Sequence, residues 1–236
     1  MKIAGIQKVT LLDFPGKVAC MIFTQGCNLC CPFCQNSSLI PTKEKSNMTV
    51  DEVLDYLNLR KKILDGIVIT GGEPLVQKDI KDLLRNIKEL GLLIKIDTNG
   101  TYPLILKEII EEGLVDYVAM DIKNVDSKYM MTVGKKINID NIKKSIDILK
   151  SSKIDYEFRT TLVKEFHNFE DIKKICELVG KDSKYYLQNF EDSSDVINHN
   201  LHGFTRGELL LIYENIKESL ANYDIKIVKN RVRMFI

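Results

Sequence analysis

Four of the six cysteines in the chain lie within eight residues, in the segment Gly-Cys-Asn-Leu-Cys-Cys-Pro-Phe-Cys that begins at Gly26. So tight a group suggests a metal site, because a disulfide framework joins cysteines from distant segments. The other two, Cys20 and Cys176, fall on a predicted strand and on the apolar face of a predicted helix, where thiols are usually core residues. The cysteine-rich loop is therefore the first candidate for chemistry.

The loop can be divided in two ways. Cys27, Cys31 and Cys34 give C-x3-C-x2-C, whereas pairing Cys27 with Cys30 and Cys31 with Cys34 gives two adjoining C-x2-C pairs. Structural zinc takes four tetrahedral ligands, usually from two separated knuckles, and here the neighbours Cys30 and Cys31 would have to reach one ion. Three thiolates can instead bind three corners of a [4Fe–4S] cubane and leave the fourth iron open for chemistry. This geometry favours the cluster, with Cys30 as a thiol beside the loop and not a ligand.

The rest of the chain must supply the elements that position this loop. Short β-branched runs alternate with amphipathic helical patterns, and successive βα units predict an α/β fold with a parallel sheet and right-handed crossovers. A full (β/α)8 barrel usually needs about 250 residues, so six units in 236 residues predict an open-sided, partial (β/α)6 TIM-like barrel. The predicted strands are Val18–Thr24, Gly66–Thr70, Leu92–Thr98, Val115–Lys123, Tyr156–Val163 and Tyr185–Phe190, with a weaker one at Asp224–Val228.

The predicted helices fall between these strands. Two of them begin with capping boxes, formed by Thr49 with Glu52 and by Thr205 with Glu208. Helical patterns run from Thr49 and over Val76–Leu90, Tyr102–Glu112, Ile139–Ser151, Phe169–Val179 and Thr205–Tyr223, and long loops are predicted near Val125–Lys136 and Glu191–Gly203.

Composition is typical of a globular protein, with 44% hydrophobic and 28% charged residues. The 34 basic and 33 acidic residues alternate along the chain, which gives no signal for nucleic-acid binding. No apolar run is long enough to span a membrane, and no targeting segment is visible. We expect one cytoplasmic domain over 1–236, with a core at about 18–190 and a C-terminal loop, helix and strand over 191–236. His199 and His202, in a polar segment without acidic or cysteine neighbours, are expected at the surface.

Polar residues collect where the second and third predicted strands end, the side that carries the site in βα barrels. Gly71-Gly72-Glu73-Pro74 follows the second strand. Its glycines allow the backbone to approach a ligand and its carboxylate can accept from an ammonium group, although a simple strand-to-helix turn has the same residues. Asp97 follows an apolar run at the end of the third strand, so its carboxylate needs a partner. Asn99-Gly100, next to it, is also a turn signal.

The later strands end in further charged and polar side chains. Asp121 and Lys123 are two residues apart and therefore project from the same side of the fourth strand, as an ion pair or as a binding site. Arg159 on the fifth strand suits bidentate contact with a carboxylate. Gln188 lies near the end of the sixth strand.

Taken together, these features resemble the radical S-adenosylmethionine (SAM) superfamily, whose C-x3-C-x-aromatic-C loop is matched here with Phe33 as the aromatic residue. The segments Ile3–Lys8, Asp13–Gly16 and Phe23–Cys27 are similar to those of the activating enzymes of anaerobic ribonucleoside-triphosphate reductase, close relatives of the pyruvate formate-lyase activator. The resemblance covers about residues 3–190. It implies one [4Fe–4S] cluster held by Cys27, Cys31 and Cys34, and SAM as the second cofactor.

The resemblance also implies roles for the residues at the strand ends. The Gly-Gly-Glu motif would hold the amino group of the methionine part of SAM, Asp97 would lie beside that amino group and the ribose, and the Asp-x-Lys pair would bind ribose hydroxyls and the methionine carboxylate. Gln188 stands where the pyruvate formate-lyase activator has a histidine, and Gln35 also replaces a histidine of the wider group. The implied cofactor-binding set is Phe33, Gly71, Gly72, Glu73, Asp97, Asn99, Asp121, Lys123, Arg159 and Gln188.

The implied activity is that of a radical SAM oxidoreductase. The reduced cluster would pass one electron to SAM, and the resulting 5′-deoxyadenosyl radical would take a hydrogen atom from a glycine of a partner, most closely anaerobic ribonucleoside-triphosphate reductase. An electron donor such as flavodoxin or ferredoxin would be a second partner, with no nucleic acid and no membrane involved. Three alternatives stay open: activation of another glycyl-radical enzyme of the pyruvate formate-lyase type, a small-molecule reaction like that of deazaguanine synthases, and a zinc-binding or electron-transfer protein.

Overall fold

The computed structural model describes residues 1–41, 47–220 and 223–228. The strands within these ranges are β1 (Ile3–Thr10), β2 (Ala19–Thr24), β3 (Gly66–Gly71), β4 (Leu93–Thr98), β5 (Tyr117–Asp121), β6 (Asp155–Leu162), β7 (Tyr185–Asn189) and β8 (Ile225–Val228). The α-helices are α1 (Val50–Arg60), α2 (Ile80–Glu89), α3 (Pro103–Glu111), α4 (Asp126–Val133), α5 (Ile139–Ser151), α6 (Phe169–Val179) and α7 (Arg206–Ser219). Single turns of 3-10 helix lie at Ser37–Leu39 and Pro74–Val76.

The strands follow one another in the sheet in chain order, from β1 to β8. The pairs β2–β3, β3–β4, β6–β7 and β7–β8 are parallel, whereas β1 is antiparallel to β2. The prediction of an α/β fold with an open, parallel sheet is confirmed, except that the sheet has an additional antiparallel strand, β1. Strand β1 lies in a segment for which no strand was predicted. It has one neighbour in the sheet and only its two end residues are buried, so it lacks the continuous apolar run of a buried strand.

Local signals for the helices agree well with the structure. Both predicted capping boxes are present, at the N-termini of α1 and α7, and α5 and α6 have the predicted bounds. The prediction of a long loop at Val125–Lys136 was wrong, because this segment contains α4. Its buried side chains, Tyr129, Thr132 and Val133, are spaced as one helical face, and Gly134 ends the helix in the left-handed conformation at φ 66°.

Contacts divide the chain into two compact units. Unit 1 comprises Met1–Asn28, Ser38–Ala119 and Asp140–Asp155, and unit 2 comprises Leu29–Ser37, Met120–Ile139 and the chain from Tyr156 onward. The prediction of one domain over 1–236 stays a prediction. The cysteine-rich loop contributes Cys27 to unit 1 and its other cysteines to unit 2.

Each unit has an apolar core of its own. In unit 1, Phe14, Ala19, Met21, Val68 and Tyr117 form a buried cluster. In unit 2 the largest buried side chains include Tyr129, Phe158, Tyr185 and Phe190. Among the described residues, no helix is both long enough and apolar enough to cross a membrane.

Candidate functional site

Cys27 lies in unit 1, three residues after β2. Its segment is held by the chain that follows the cysteine-rich loop, since the N–H of Gly26 donates to the carbonyl of Leu39 at 2.7 Å and the N–H of Cys27 donates to that of Ile40 at 3.1 Å. The Cys27 side chain is half-buried and forms no disulfide. Strand β2 and residues 39–40 therefore fix the backbone that carries this thiol.

Gly71 and Gly72 lie against the same segment. A Cβ atom on Gly71 would come within 2.5 Å of the Thr24 nitrogen, and one on Gly72 within 2.1 Å of the Gly26 carbonyl oxygen. Gly71 also has φ 108°, where side chains are disfavoured. Both glycines are thus required by the close approach of two backbones. Whether they also admit a ligand, as predicted, stays a prediction.

The carboxylate of Glu73 is buried and hydrogen-bonded within unit 1. It accepts from the N–H of Leu75 at 3.1 Å, from the Thr98 hydroxyl at 2.8 Å and from the N–H of Asn99 at 2.7 Å. Because Thr98 and Asn99 lie at the end of β4, Glu73 joins the ends of β3 and β4. Its observed contacts are structural, and the predicted contact with an ammonium group stays a prediction.

Asn99 connects the end of β4 to the start of the cysteine-rich loop. Its Nδ2 donates to Oδ1 of Asn28 at 3.0 Å, and its Oδ1 accepts from the Thr101 N–H at 3.0 Å. Asn28 Nδ2 in turn donates to the Thr101 hydroxyl at 2.8 Å. Asn28 and Thr101 were not predicted as site residues, because a residue between two cysteines and one after Asn-Gly resemble spacer and turn.

Asp97 points from β4 and is 7% exposed. Its carboxylate pairs with the ammonium group of Lys95, two residues earlier on the same strand. Lys95 was not predicted as a site residue.

In unit 2, the remaining cysteines lie on a segment held from two sides. On one side, the N–H of Cys30 donates to the carbonyl of Val133 at the end of α4, at 3.0 Å. On the other, the Asn198 N–H donates to the Pro32 carbonyl at 3.0 Å, and Gln35 Nε2 donates to the Glu191 carbonyl at 2.7 Å. The predicted long loop after β7 therefore supports the cysteine-rich segment, and Gln35 is part of that support.

Cys31 and Cys34 share a cationic neighbour, Lys123. Burial raises the pKa of the Cys34 thiol, and this is partly offset by a hydrogen bond from the Asn36 backbone and by the charge of Lys123. Burial disfavours the charged form of Lys123, but Asp121 and Cys31 outweigh it and raise the pKa of Lys123. Lys123 is thus a charged ammonium group that interacts with both thiols and opposes, without cancelling, the effect of burial on Cys34.

Asp121 and Lys123, at the end of β5, form a connected group with Arg159 in the middle of β6. The Asp121 carboxylate accepts from Lys123 Nζ at 2.8 Å and from Arg159 Nε at 3.0 Å. Lys123 Nζ also lies 5.9 Å from the centre of the Phe33 ring, which is buried against Phe166. Two cations share one carboxylate, so the group carries a net positive charge that suits an anionic ligand.

Gln188 is half-buried near the end of β7, in register with Thr161 of β6. The structure thus brings Cys31, Phe33, Cys34, Asp121, Lys123 and Arg159 together in unit 2, and Cys27, Gly71, Gly72, Glu73 and Asn99 in unit 1.

Two further predictions concern histidines and thiols outside this set. His199 and His202 are exposed as predicted, but the expectation that they lack acidic neighbours was wrong, since they pair with Asp192 and Glu165. Cys20 and Cys176 are fully buried, with pKa values raised to about 12 by burial.

His167, in the connection between β6 and α6, is hydrogen-bonded to the backbone of Lys123. It was not predicted as a site residue. Its Nδ1 accepts from the N–H of Val163 at 3.1 Å, which leaves the proton on Nε2, and Nε2 donates to the carbonyl of Lys123 at 2.8 Å. Tyr129 accepts from the N–H of the same lysine at 3.3 Å. Burial lowers the pKa of His167, although its backbone partners and Asp171 oppose this, so the ring is neutral in the folded protein.

Replacing His167 by glutamine should destabilise the protein by about 1–3 kcal/mol at pH 7.5, since glutamine cannot make both bonds in this geometry. Because the folded state holds the neutral ring, the unfolded chain takes up a proton first once the pH falls below about 6.5. The contribution of His167 is therefore complete above that pH and lost as the pH falls. Chemical denaturation from pH 8 to 5 should show the two proteins converging. His202→Gln, at an exposed site, should change stability little; a constant difference between wild type and His167→Gln would contradict this role.

The donor set fits an iron–sulfur cluster. All six cysteines are free of disulfides, and Lys123 lies beside two of the three predicted ligands. Among the described residues, no three Cys, His, Asp or Glu side chains converge on one metal ion. Thiolates that bind different irons of a cubane do not have to converge on one centre, so the arrangement is compatible with the predicted ligation.

Comparison with known proteins adds three findings. Residues 21–179 match the model of the Radical SAM superfamily. The chain is 38% identical to a Methanocaldococcus jannaschii protein named as a glycyl-radical enzyme activating enzyme. This alignment spans 194 residues and covers 80% of each of the two chains. It is also 33% identical, over 62% of this chain and 63% of the relative, to the pyruvate formate-lyase-activating enzyme of Clostridium pasteurianum.

Among solved structures, the chain is similar to Streptococcus suis SuiB bound to S-adenosylmethionine, with a TM-score of 0.69 and 17% identity. The match covers 87% of this chain and 48% of SuiB, so this chain spans about half the length of that protein. At this identity the likeness shows a shared fold.

Proposed function

Because the chain belongs to the radical SAM superfamily, we propose that it is the activating enzyme of a glycyl-radical enzyme, and specifically of anaerobic ribonucleoside-triphosphate reductase. The observation that carries the proposal is the 38% identity to a relative named as a glycyl-radical enzyme activating enzyme, at 80% coverage of both chains. The three N-terminal segments of the reductase-activator type, from Ile3 to Cys27, support the choice of partner.

The cofactors of the family are a [4Fe–4S] cluster and SAM. Together they supply a one-electron cleavage of a carbon–sulfur bond, which yields a carbon radical able to take a hydrogen atom from a peptide glycine. We assign the cluster to Cys27, Cys31 and Cys34. The charge of Lys123 would offset part of the rise that burial causes in the pKa of the Cys34 thiol, and the same ammonium group interacts with Cys31.

In unit 2, we assign the methionine carboxylate of SAM to Lys123 and Arg159. Both cations are oriented by Asp121 before any ligand arrives, so little ordering is required on binding. Phe33 packs under Lys123 and would keep water from this side of the site. Asp121 would accept from ribose hydroxyls, and Gln188, with its half-buried amide, is a further candidate contact.

In unit 1, we assign the ammonium group of SAM to Asp97. The Glu73 carboxylate is engaged by Leu75, Thr98 and Asn99, so its part is to hold the end of β4 in place beside the glycine turn. Gly71, Gly72 and Asn99 would contribute mainly backbone and positioning. A one-electron donor such as flavodoxin or ferredoxin would be the second partner, and a cytoplasmic location would keep the thiols reduced.

The proposal is tested by anaerobic reconstitution followed by incubation with the anaerobic reductase of the same organism, SAM and a chemical reductant. We expect 5′-deoxyadenosine release and a glycyl-radical doublet in the EPR spectrum of the partner. The doublet should be absent when the partner's radical-forming glycine is replaced by alanine. SAM cleavage without a doublet would reject the reductase as partner and favour a pyruvate formate-lyase type of partner or a small molecule. Zinc binding without SAM cleavage would reject the enzyme class assigned to the site.

A further inference from the structure

Lys95 is a lysine inside the apolar core of unit 1. It occupies the middle of β4, where Leu93, Lys95 and Asp97 alternate with buried residues of the opposite face. In the parallel register it lies beside Val68 of β3, and its ammonium group lies 5.9 Å from the centre of the Tyr117 ring. Only 1% of the residue is exposed.

A buried lysine at this position is costly unless it does something that an apolar residue could not. Val68 and Tyr117 belong to the apolar cluster of unit 1, and Leu93 packs against it. Moving an ammonium group and a carboxylate out of water costs several kcal/mol for each ion, and apolar residues that replace a buried ion pair are often neutral or stabilising. Packing alone therefore favours a methionine or leucine at position 95, and the charge calls for another explanation.

The only carboxylate that the described contacts give to Lys95 is that of Asp97, the residue assigned to the ammonium group of SAM. We propose that Lys95 is a positioning residue, which keeps the buried Asp97 carboxylate ionised and oriented for that ammonium group. The inference rests on the proposed function and deepens it, since it names what makes the ammonium subsite work.

The physical reason is the state of Asp97 before SAM binds. A carboxyl group that is 7% exposed has lost most of its hydration, which favours its neutral form, and the ammonium group of Lys95 opposes this. A neutral carboxyl group is a much weaker acceptor for an ammonium group than a carboxylate. The bond from Lys95 also restricts rotation of the Asp97 side chain, so that the carboxylate is ordered in advance. Tyr117 contributes its ring face to the lysine and so lowers the cost of burying the charge.

The test uses reconstituted protein and the change that SAM causes in the EPR spectrum of the reduced cluster. Titrating SAM gives an apparent affinity, and the spectrum at saturation shows whether the bound state is unchanged. Lys95→Met keeps the length and removes the charge, whereas Lys95→Gln keeps a hydrogen-bond donor without the charge. Lys107→Met, at an exposed lysine paired with Glu111, is the matched control. Iron content and thermal stability are measured for each variant.

We expect Lys95→Met and Lys95→Gln to bind SAM at least about tenfold more weakly, the loss of one charge-assisted bond, with iron content and the saturated spectrum as in wild type. Lys107→Met should match wild type. In a double-mutant cycle, Lys95→Met should add almost nothing to the loss caused by Asp97→Asn, because it acts through Asp97.

Wild-type affinity in Lys95→Met, or losses that simply add in the cycle, would overturn the role of Lys95 and leave the proposed function intact. A wild-type protein whose cluster spectrum does not respond to SAM would instead overturn the proposed function, and this inference with it. The two failures are therefore distinguishable.

Discussion

Cys31→Ala should lose the iron–sulfur cluster, whereas Cys30→Ala should keep it. Cys31 is 7% exposed and its thiol lies beside the ammonium group of Lys123, which favours the thiolate that iron requires. The contacts that place Cys30 are made by its backbone, because its N–H donates to Val133 and its carbonyl oxygen lies against Gly134. A change of the Cys30 side chain leaves both contacts in place. Iron and sulfide per chain and the visible absorption after anaerobic reconstitution measure the result.

The comparison is closely matched, since the two variants change neighbouring residues in the same way. Loss of the cluster in Cys30→Ala with retention in Cys31→Ala would reject the C-x3-C-x2-C register. Equal loss in both, together with stoichiometric zinc, would favour four thiolates around one ion. Thermal unfolding of both apoproteins serves as the control, because the register makes no prediction about folding without metal.

Most elements of the fold were predictable from local pattern, and the failures have physical causes. Helices α5 and α6 carry regular apolar faces, and α6 ends at a glycine, so their bounds could be derived. Helix α4 is short, and its charged and polar residues obscure a buried face of three residues. Two of these, Tyr129 and Thr132, accept hydrogen bonds from the segment that follows β5. Strand β1 is stabilised by pairing with β2 and not by an apolar run of its own. Both elements are consequences of tertiary contacts.

In the candidate site too, residues marked by local sequence pattern could be predicted, whereas residues that depend on tertiary contacts could not. Polar residues at strand ends, such as Asp97, Asp121 and Lys123, could be found because the C-terminal side of a parallel sheet is where such residues collect. His167 and Asn28 could not, since their importance lies in bonds to residues more than 40 positions away. Lys95 was not predicted as a site residue because a lysine within a strand usually faces water. Only the packing of β4 against the apolar cluster makes it unusual.

The structure gives the glycine turn after β3 a structural role, because its backbone is hydrogen-bonded to the segment between β2 and Cys27. Gly72 donates its N–H to the carbonyl of Thr24 at 2.9 Å, and the N–H of Glu73 donates to the carbonyl of Gly26 at 2.9 Å. The turn is therefore bonded to the backbone that leads directly to Cys27. Any shift of the turn is transmitted to the first predicted cluster ligand, through contacts that do not involve a bound cofactor.

Gly72→Ala should for this reason impair both folding and the cluster site. The added Cβ would lie 2.1 Å from the Gly26 carbonyl oxygen, a backbone atom that cannot move away without losing its bond to Glu73. We expect a destabilisation of roughly 1–3 kcal/mol, the usual range for inserting an atom into a packed region, together with reduced iron content. Denaturant unfolding of the apoprotein and iron analysis after reconstitution measure the two effects separately.

Gly207→Ala is the matched control for this substitution. Gly207 lies in the first turn of α7, where a Cβ would meet nothing within 4 Å, so alanine should stabilise the helix by up to about 1 kcal/mol and leave iron content unchanged. A Gly72→Ala protein with wild-type stability and full iron would show that the turn and the Gly26–Cys27 segment move independently. In that case the glycines would have to be explained by the approach of a ligand, as the sequence alone suggests, and not by the approach of one backbone to another.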